Sequence, residues 1–373
     1  MGVGTTYSLV LLENLAAFSV FTRSFLSPYM KCSTQFGLSL LTAFGIATSF
    51  TAADAALLVG NTSGNNIVIF DEIVGNFLGE LIPDNGLLDS PDTFVYGPDG
   101  NLYVSSGTTP ENSAILRFTP KGEFIDVFAS GNGLFRPYGV AFGPDNNLYV
   151  SSFLSDQILR YDGTSGAFID VFASRQGIAP DGLNGPNGLL FGPDGRLYVT
   201  TQGSVAVEGI PVFGQPSIIL SYDITTQEKT VFAQEPEPSP DSFGFVSFLG
   251  MAVDPLSGNL VVSDFANGIR SYDFLDGTLL SELSTNYTES VPSSSFIGSL
   301  AFAPNGDLFT VGFDITSEIG SILKYDGLTK ERSLLADASP ELRRPIGILY
   351  AAQPVPEPFM VGGLVLSRRR PHG

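Results

Sequence analysis

Cysteine occurs once in the 373 residues, at Cys32, so no internal disulfide can form. Histidine also occurs once, at His372, the penultimate position. Everything between these two residues therefore lacks Ser-His and Cys-His nucleophile pairs and zinc sites built from histidine or cysteine. Basic residues are scarce as well: 18 Lys and Arg stand against 38 Asp and Glu, a net charge of −20. That balance excludes a basic nucleic-acid footprint and disfavours polyanionic partners. Apolar runs at helical spacing are rare after residue 55. The glycines sit in hairpin turns, and none forms a phosphate-binding loop. What is abundant is turn chemistry, with 42 Gly and 25 Pro, which points to many short strands.

The two ends read as addresses. In MKCSTQFGLSLLTAFGIATSFTAADAA, residues 30–56, Lys31 is followed by an apolar run from Phe36 to Phe50 and then by Ala53-Asp54-Ala55. This is the pattern of a secretory signal peptide over 30–55, with the mature chain starting near Ala56. Met30 is then the expected start, and residues 1–29 an extension of the gene model. The other end, VPEPFMVGGLVLSRRR, carries Pro356, Glu357 and Pro358, an apolar run, and Arg368, Arg369 and Arg370. It resembles the PEP-CTERM sorting signal of exported bacterial proteins. That resemblance implies an exosortase-type processing enzyme as partner, transient membrane contact, and a cell-surface or extracellular location. The apolar run, Phe359 to Ser367, is nine residues, well short of the roughly 20 that span a bilayer.

Between the ends one phrase recurs: GPDGNLYVSS at 97–106, GPDNNLYVSS at 143–152 and GPDGRLYVTT at 192–201. Each copy belongs to a unit of four short apolar segments. The second segments begin at Leu102, Leu148, Leu197, Leu260 and Leu308, steps of 46, 49, 63 and 48. A period of about 40–50 with four strands per unit is the signature of a β-propeller. First segments fall at 91–97, 137–143, 186–192, 248–254, 297–303 and 345–350; fourth segments fall at 77–82, 124–129, 168–173, 229–233, 279–283 and 332–336. The last unit has only its first segment, and the chain start, at 56–59, 67–70 and 77–82, has only the other three. The two fragments complete each other. The expected fold is all-β: a six-bladed propeller over 56–350 whose last blade is closed by the N- and C-terminal segments, with 351–373 as linker and tail. The units VAFGPDNNLYVSSFLSDQILRYD (140–162) and MAVDPLSGNLVVSDFANGIRSYD (251–273) resemble NHL repeats. The GPDG acids recur with the repeat and read as turn architecture.

Alternating connections put the long insertions Gln202–Ser217 and Gln234–Ser247 on one face, near blades three and four. The first segments start at that face with Asp92, Tyr138, Asn187, Leu249, Gly298 and Ile346, a ring at the channel mouth. The architecture resembles gluconolactonase-like propellers, which hold a divalent cation such as calcium there with Glu, Asn and Asp. Asn187-Gly188 matches the family's Asn-Gly step, and Asp92 stands where it places an acid. Leu249-Gly250 stands where Asp-Gly is expected, so Asp92 and Asn187 remain two donors for an ion that wants six or more. Asp241 or Glu237 is the candidate third ligand. No histidine remains for the His-dependent lyases built on related propellers. The leading expectation is a non-catalytic exported binding or scaffold protein, with no cofactor and an extracellular glycan or surface protein as ligand. The alternative is a metal-dependent lactonase or hydrolase.

Overall fold

The computed structural model describes residues 55–176 and 179–352; the expected signal segment, Cys32, the sorting tail and His372 lie outside the described residues. Six four-stranded antiparallel sheets form the blades. Blade 1 is Phe94–Tyr96, Leu102–Ser106, Ala114–Phe118 and Phe124–Ser130. Blade 2 is Pro137–Phe142, Asn147–Ser152, Gln157–Asp162 and Phe168–Ser174. Blade 3 is Pro186–Phe191, Leu197–Thr201, Ile219–Tyr222 and Lys229–Ala233, with an extra hairpin, Ser204–Val207 and Ile210–Phe213, between its second and third strands. Blade 4 is Phe248–Val253, Leu260–Asp264, Ile269–Tyr272 and Leu279–Leu283. Blade 5 is Ser295–Phe302, Leu308–Asp314, Ile319–Tyr325 and Arg332–Arg343. Blade 6 takes its first strand, Pro345–Ala351, from the C-terminal side and Ala56–Asn61, Asn66–Asp71 and Phe77–Ile82 from the N-terminal side.

The shared blade closes the ring as expected. Leu58 pairs with Leu349 and Gly60 with Gly347, so the chain ends meet strand to strand and no inner edge stays open. Asn61 reinforces the join: its Nδ2 donates to the Glu341 carbonyl at 2.8 Å and its Oδ1 accepts from the Arg343 amide at 3.0 Å. Two boundaries differ from the sequence reading. The first strand of blade 1 shortens to Phe94–Tyr96, because Asp92 and Thr93 turn their amides to the Ser105 hydroxyl. The fourth strand of blade 5 runs on to Arg343, because it borders the closing blade.

Burial follows from the stacking. Second strands such as LYVSS are buried at every position, since each blade is covered on both faces by its neighbours. Fourth strands lie outside, and in FIDVFAS only Phe128 and Ala129 of blade 1 are buried. The recurring phrase is now explained. Gly100 takes φ +77, and the Asp99 carboxylate accepts from the Asn101 amide at 3.1 Å and from the Tyr103 hydroxyl at 3.0 Å. Tyr149 and Tyr198 bond Asp145 and Asp194 in the same way, at 2.9 and 3.0 Å. The Tyr103 ring meets Phe128 of its own blade and Phe142 of the next edge-on, each at 4.9 Å. The acids of these turns hold the tyrosines that join adjacent blades.

Nearer the axis the blades touch backbone to backbone. A Cβ on Gly139 would lie 2.1 Å from the Asn187 carbonyl oxygen, and one on Gly188 would lie 2.3 Å from that of Leu249. A hydroxyl from the second strand bridges each approach. Thr200 accepts from the Gly188 amide at 2.8 Å and donates to the Leu249 carbonyl of blade 4 at 2.5 Å. Ser151 does the same with Gly139 and Asn187. Thr200→Val keeps the shape but strips a buried donor and a buried acceptor of their partner. It is expected to lower the unfolding free energy by about 2 kcal/mol in urea titration; a loss below about 0.5 kcal/mol, the range of a neutral surface change, would show that the bridge contributes nothing.

Candidate functional site

The turns joining first to second and third to fourth strands are tight, and they share one face. The opposite face carries the longest connections, between the second and third strands of blades 1 and 3 and between most successive blades, and it is there that the first strands begin. The six positions named from the sequence stand at or beside the starts of the first strands on that face. Adjacent members lie in register around the axis: a Cβ on Gly298 would lie 2.5 Å from the Ile346 carbonyl oxygen, and one on Gly347 would lie 2.1 Å from that of Asp92. The mouth has two halves. Asp92, Tyr138 and Asn187 of blades 1 to 3 are polar; Leu249, Gly298 and Ile346 of blades 4 to 6 close the other side with buried apolar surface.

Asp92 is only 7% exposed, and among the described residues no hydrogen bond reaches its carboxylate. Burial dominates its titration and pushes the carboxyl up to about 6, although the guanidinium groups of Arg136 and Arg344 pull it down. The Arg136 guanidinium lies 5.3 Å from the Tyr138 ring centre, and Phe153 backs that ring at 4.7 Å. Burial also raises the Tyr138 hydroxyl, with Arg136 opposing. Arg344 lies 5.5 Å over Phe313 and 3.3 Å from the Glu318 carboxylate. Asn187 is buried, and its Nδ2 has no hydrogen-bond partner.

Both arginines were missed by the sequence reading. Each stands two residues before a ring member, in the left-handed region (φ 57 for Arg136, φ 48 for Arg344), directly before a proline. Ser90-Pro91 and Gly185-Pro186 repeat the device, with φ 49 and 67. The doubled Arg-Pro at 136–137 and 344–345 was the available signal.

Asp241 and Glu237 do not join the ring. Asp241 accepts from the Ser284 hydroxyl at 2.8 Å, beyond the outermost strand of blade 4. The Glu237 carbonyl accepts from Arg270 in the third strand at 3.2 Å. Among the described residues no group of three or more His, Cys, Asp or Glu is placed to hold a metal ion. Two grooves, of about 310 and 360 Å³, lie away from the mouth, one beside Asn66 and Glu80 of blade 6 and one between Arg196 and Phe274 on the tight-turn side.

The two long insertions are fastened, each by a buried carboxylate. Asp156 accepts from the amides of Gly185 at 3.2 Å and Ala206 at 2.8 Å, and pairs with Arg175 at 2.8 Å. This holds the extra hairpin, whose Glu208-Gly209 turn has φ 52 and 76, as a two-residue hairpin turn requires. The tip packs on Phe135. Val207, Ile210, Val212 and Phe213 remain exposed. Asp264 does the same for 234–247: it accepts from the Ser247 amide at 2.9 Å and pairs with Arg270 at 2.5 Å, both side chains fully buried. Arg270 reaches the Glu237 carbonyl, while the Ser239 hydroxyl donates to the Glu282 carboxylate and the Asn267 carbonyl. Burial pushes the carboxyls of both Asp156 and Asp264 up, and their arginines pull against it.

From this loop a row of phenylalanines runs to the mouth. Phe245 lies 6.3 Å from Phe243, Phe243 lies 5.0 Å from Phe296, and Phe296 stacks on Phe265 at 4.2 Å and 13°. Phe296 lies 5.9 Å from Phe313, over which Arg344 sits.

The fold and this face define the class, a six-bladed β-propeller. No protein-family model and no curated protein matches the chain. Solved structures do. A chain of a nidogen/laminin complex matches with a TM-score of 0.58 at 15% identity, over 80% of this chain and 99% of that one. A protein of unknown function from Bacteroides caccae matches at 0.53 and 14%, over 80% and 99%. Virginiamycin B lyase from Staphylococcus aureus matches at 0.51 and 14%, over 82% and 90%. At these identities the likeness is one of fold.

Two outcomes are expected. The folded chain holds the Asp92 proton more tightly than the unfolded chain does, so this group's contribution falls as pH rises from about 4 to about 6, and the full penalty applies above that. Asp92→Asn should therefore raise the unfolding free energy at pH 8 by up to about 3 kcal/mol and leave it unchanged at pH 3; equal effects at both pH values in urea titrations would refute the assignment. Asp156→Ala removes the acceptor of two backbone amides and should cost about 3 kcal/mol. It should also open the Glu208 peptide bond to a Glu-specific protease. Unchanged cleavage would show that the hairpin is held by other contacts.

Proposed function

We propose that the chain is an exported, NHL-like propeller that binds an extracellular ligand, without catalysis, on the long-loop face. The observation that carries this reading is the fastening of both insertions. Solvated decoration has no use for buried carboxylates paired with arginines, which are expensive to form and fix a geometry. Rigid loops grouped at one end of a rigid scaffold are the usual setting of a binding site. Ala56 pairs with Ala351 at the tight-turn end, so the described chain enters and leaves there, side by side.

The lactonase alternative draws on Asp92 and Asn187 alone.

Full-length protein on a solid support is expected to retain a component of the producing cell's extracellular matrix. Phe245→Ser, or replacement of residues 205–212 by a short glycine turn, should weaken retention. Leu275→Ser and Leu328→Ser, in exposed turns of the opposite face, should not. Calcium at a hundredfold excess over its Kd would raise stability by about 2.7 kcal/mol, and no such rise is expected in thermal melts against EDTA. Retention that depends on the tight-turn variants, or an EDTA-sensitive melt joined to lactone hydrolysis lost in Asp92→Ala, would overturn the reading.

A further inference from the structure

The position two residues before each ring member describes an arc around the mouth. It holds Phe296 in blade 5, Arg344 in blade 6, Ser90 in blade 1 and Arg136 in blade 2. The phenylalanine row thus reaches the same arc that carries the two arginines flanking Asp92. One continuous strip results, apolar and aromatic at its outer end and polar at its inner end.

The inner end is chemically unfinished. Asn187, 3% exposed, keeps an Nδ2 with no acceptor. Asp92, 7% exposed, keeps a carboxylate with no donor. A buried amide donor loses free energy when unpaired, and the Asp92 carboxylate has no protein donor among the described residues. Hydroxyl groups satisfy both at once, since a hydroxyl donates and accepts. A partner that also covers half-exposed phenylalanine rings must present apolar faces. Few ligands offer both in alternation along a chain, and pyranose polymers do, with C–H faces and equatorial hydroxyls. The net charge of −20 and the acid at the inner end argue against a polyuronate or other polyanion.

We propose that this strip is a track for a neutral polysaccharide, with sugar faces lying on Phe245, Phe243 and Phe296 and hydroxyls of the innermost sugar meeting Asp92 and Asn187. This rests on the long-loop face being the ligand face, as proposed above. The carboxylate would accept from sugar hydroxyls and the amide would donate to a sugar oxygen. Arg136 and Arg344 would hold the acid charged and in place.

The test is affinity electrophoresis of the full-length chain at pH 8, through gels containing dextran, laminarin, xylan or galactomannan, with polygalacturonate as the charged comparison. At least one neutral polymer should retard the protein, and polygalacturonate should not. Phe245→Ser and Asp92→Asn should each weaken retardation about tenfold, the loss of one good contact. Phe245 is exposed, and Asp92→Asn is expected to stabilise the fold at this pH, so weakened binding cannot be put down to unfolding. Retardation by none of the neutral polymers, or by polygalacturonate alone, overturns the proposal; so does retardation that both variants leave unchanged. If no polymer acts while the matrix component is still retained through the long-loop face, the glycan inference fails and the binding reading stands. If retention fails too, both fail.

Discussion

The close approach of one blade's backbone to the next is the constraint on which the rest of the molecule depends. Gly139 and Gly188 have no room for a side chain, because a carbonyl of the neighbouring blade occupies the space. Such an approach leaves backbone polar groups buried, and each must find a partner. The hydroxyls of Ser151 and Thr200 supply it, accepting from their own blade and donating to the next. Ser105 and Ser263 accept in the same manner in blades 1 and 4. The LYVSS and LYVTT motifs therefore encode two joints at once. The tyrosine joins blades at mid-radius through aromatic contacts, and the hydroxyl joins them near the axis. The inner strands bulge where the hydroxyl enters, at Pro137/Val140, Pro186/Leu189 and Phe248/Met251. That bulge sets the ring residues at the mouth.

The outer strands solve a different problem. A fourth strand has one edge without a partner, and identical FIDVFAS strands in adjacent blades would be an open template for pairing with other chains. Each is interrupted. Register shifts fall at Ile115/Leu116 and Arg117/Phe118 in blade 1 and at Ile158/Leu159 and Arg160/Tyr161 in blade 2. Arg117 and Arg160 reach across to Asp126 and Asp170 with two hydrogen bonds each, putting charge pairs on the outer surface. The sequence repeats because the same edge must be both packed inward, through Phe128 and Phe172, and blunted outward.

Much of this was legible without coordinates, for a physical reason. Four strands of fixed length and two kinds of tight turn make a period, and a period survives in sequence. The partition of the last blade between the chain ends followed from counting first and fourth segments. The positions proposed for the mouth came from aligning each first strand to its turn. What could not be read depends on distances across blades. Arg136 and Arg344 are separated by more than two thirds of the described chain, yet both act on Asp92. Asp156 fastens a hairpin 50 residues onward, and Asp264 a loop that precedes it. In the sequence these two acids look no different from Asp99 or Asp145. The hairpin itself had a local signal, Val-Glu-Gly-Ile at 207–210, within a stretch read only as a long insertion.

The buried carboxylates of the long-loop face titrate differently from the solvated turn carboxylates. On the tight-turn face the carboxylates of Asp162, Asp223 and Asp326 are solvated, and hydrogen bonds from their own turns hold them below the usual carboxylate range. Such groups support the fold at neutral pH, because the folded chain favours their charged form. On the long-loop face Asp92, Asp156 and Asp264 are pushed the other way, chiefly by desolvation. Asp156 and Asp264 are compensated by arginines and backbone amides that fix a loop in place. Asp92 fixes nothing: its carboxylate holds no amide and no hydroxyl, and two guanidinium groups do not restore its usual titration. A carboxylate that weakens the fold around it has no structural reason to stand in a ring whose other positions accept tyrosine, leucine, glycine and isoleucine. Its place at the polar half of the mouth, in a ring that also holds the unpartnered amide nitrogen of Asn187 two blades on, is what the proposed ligand would account for.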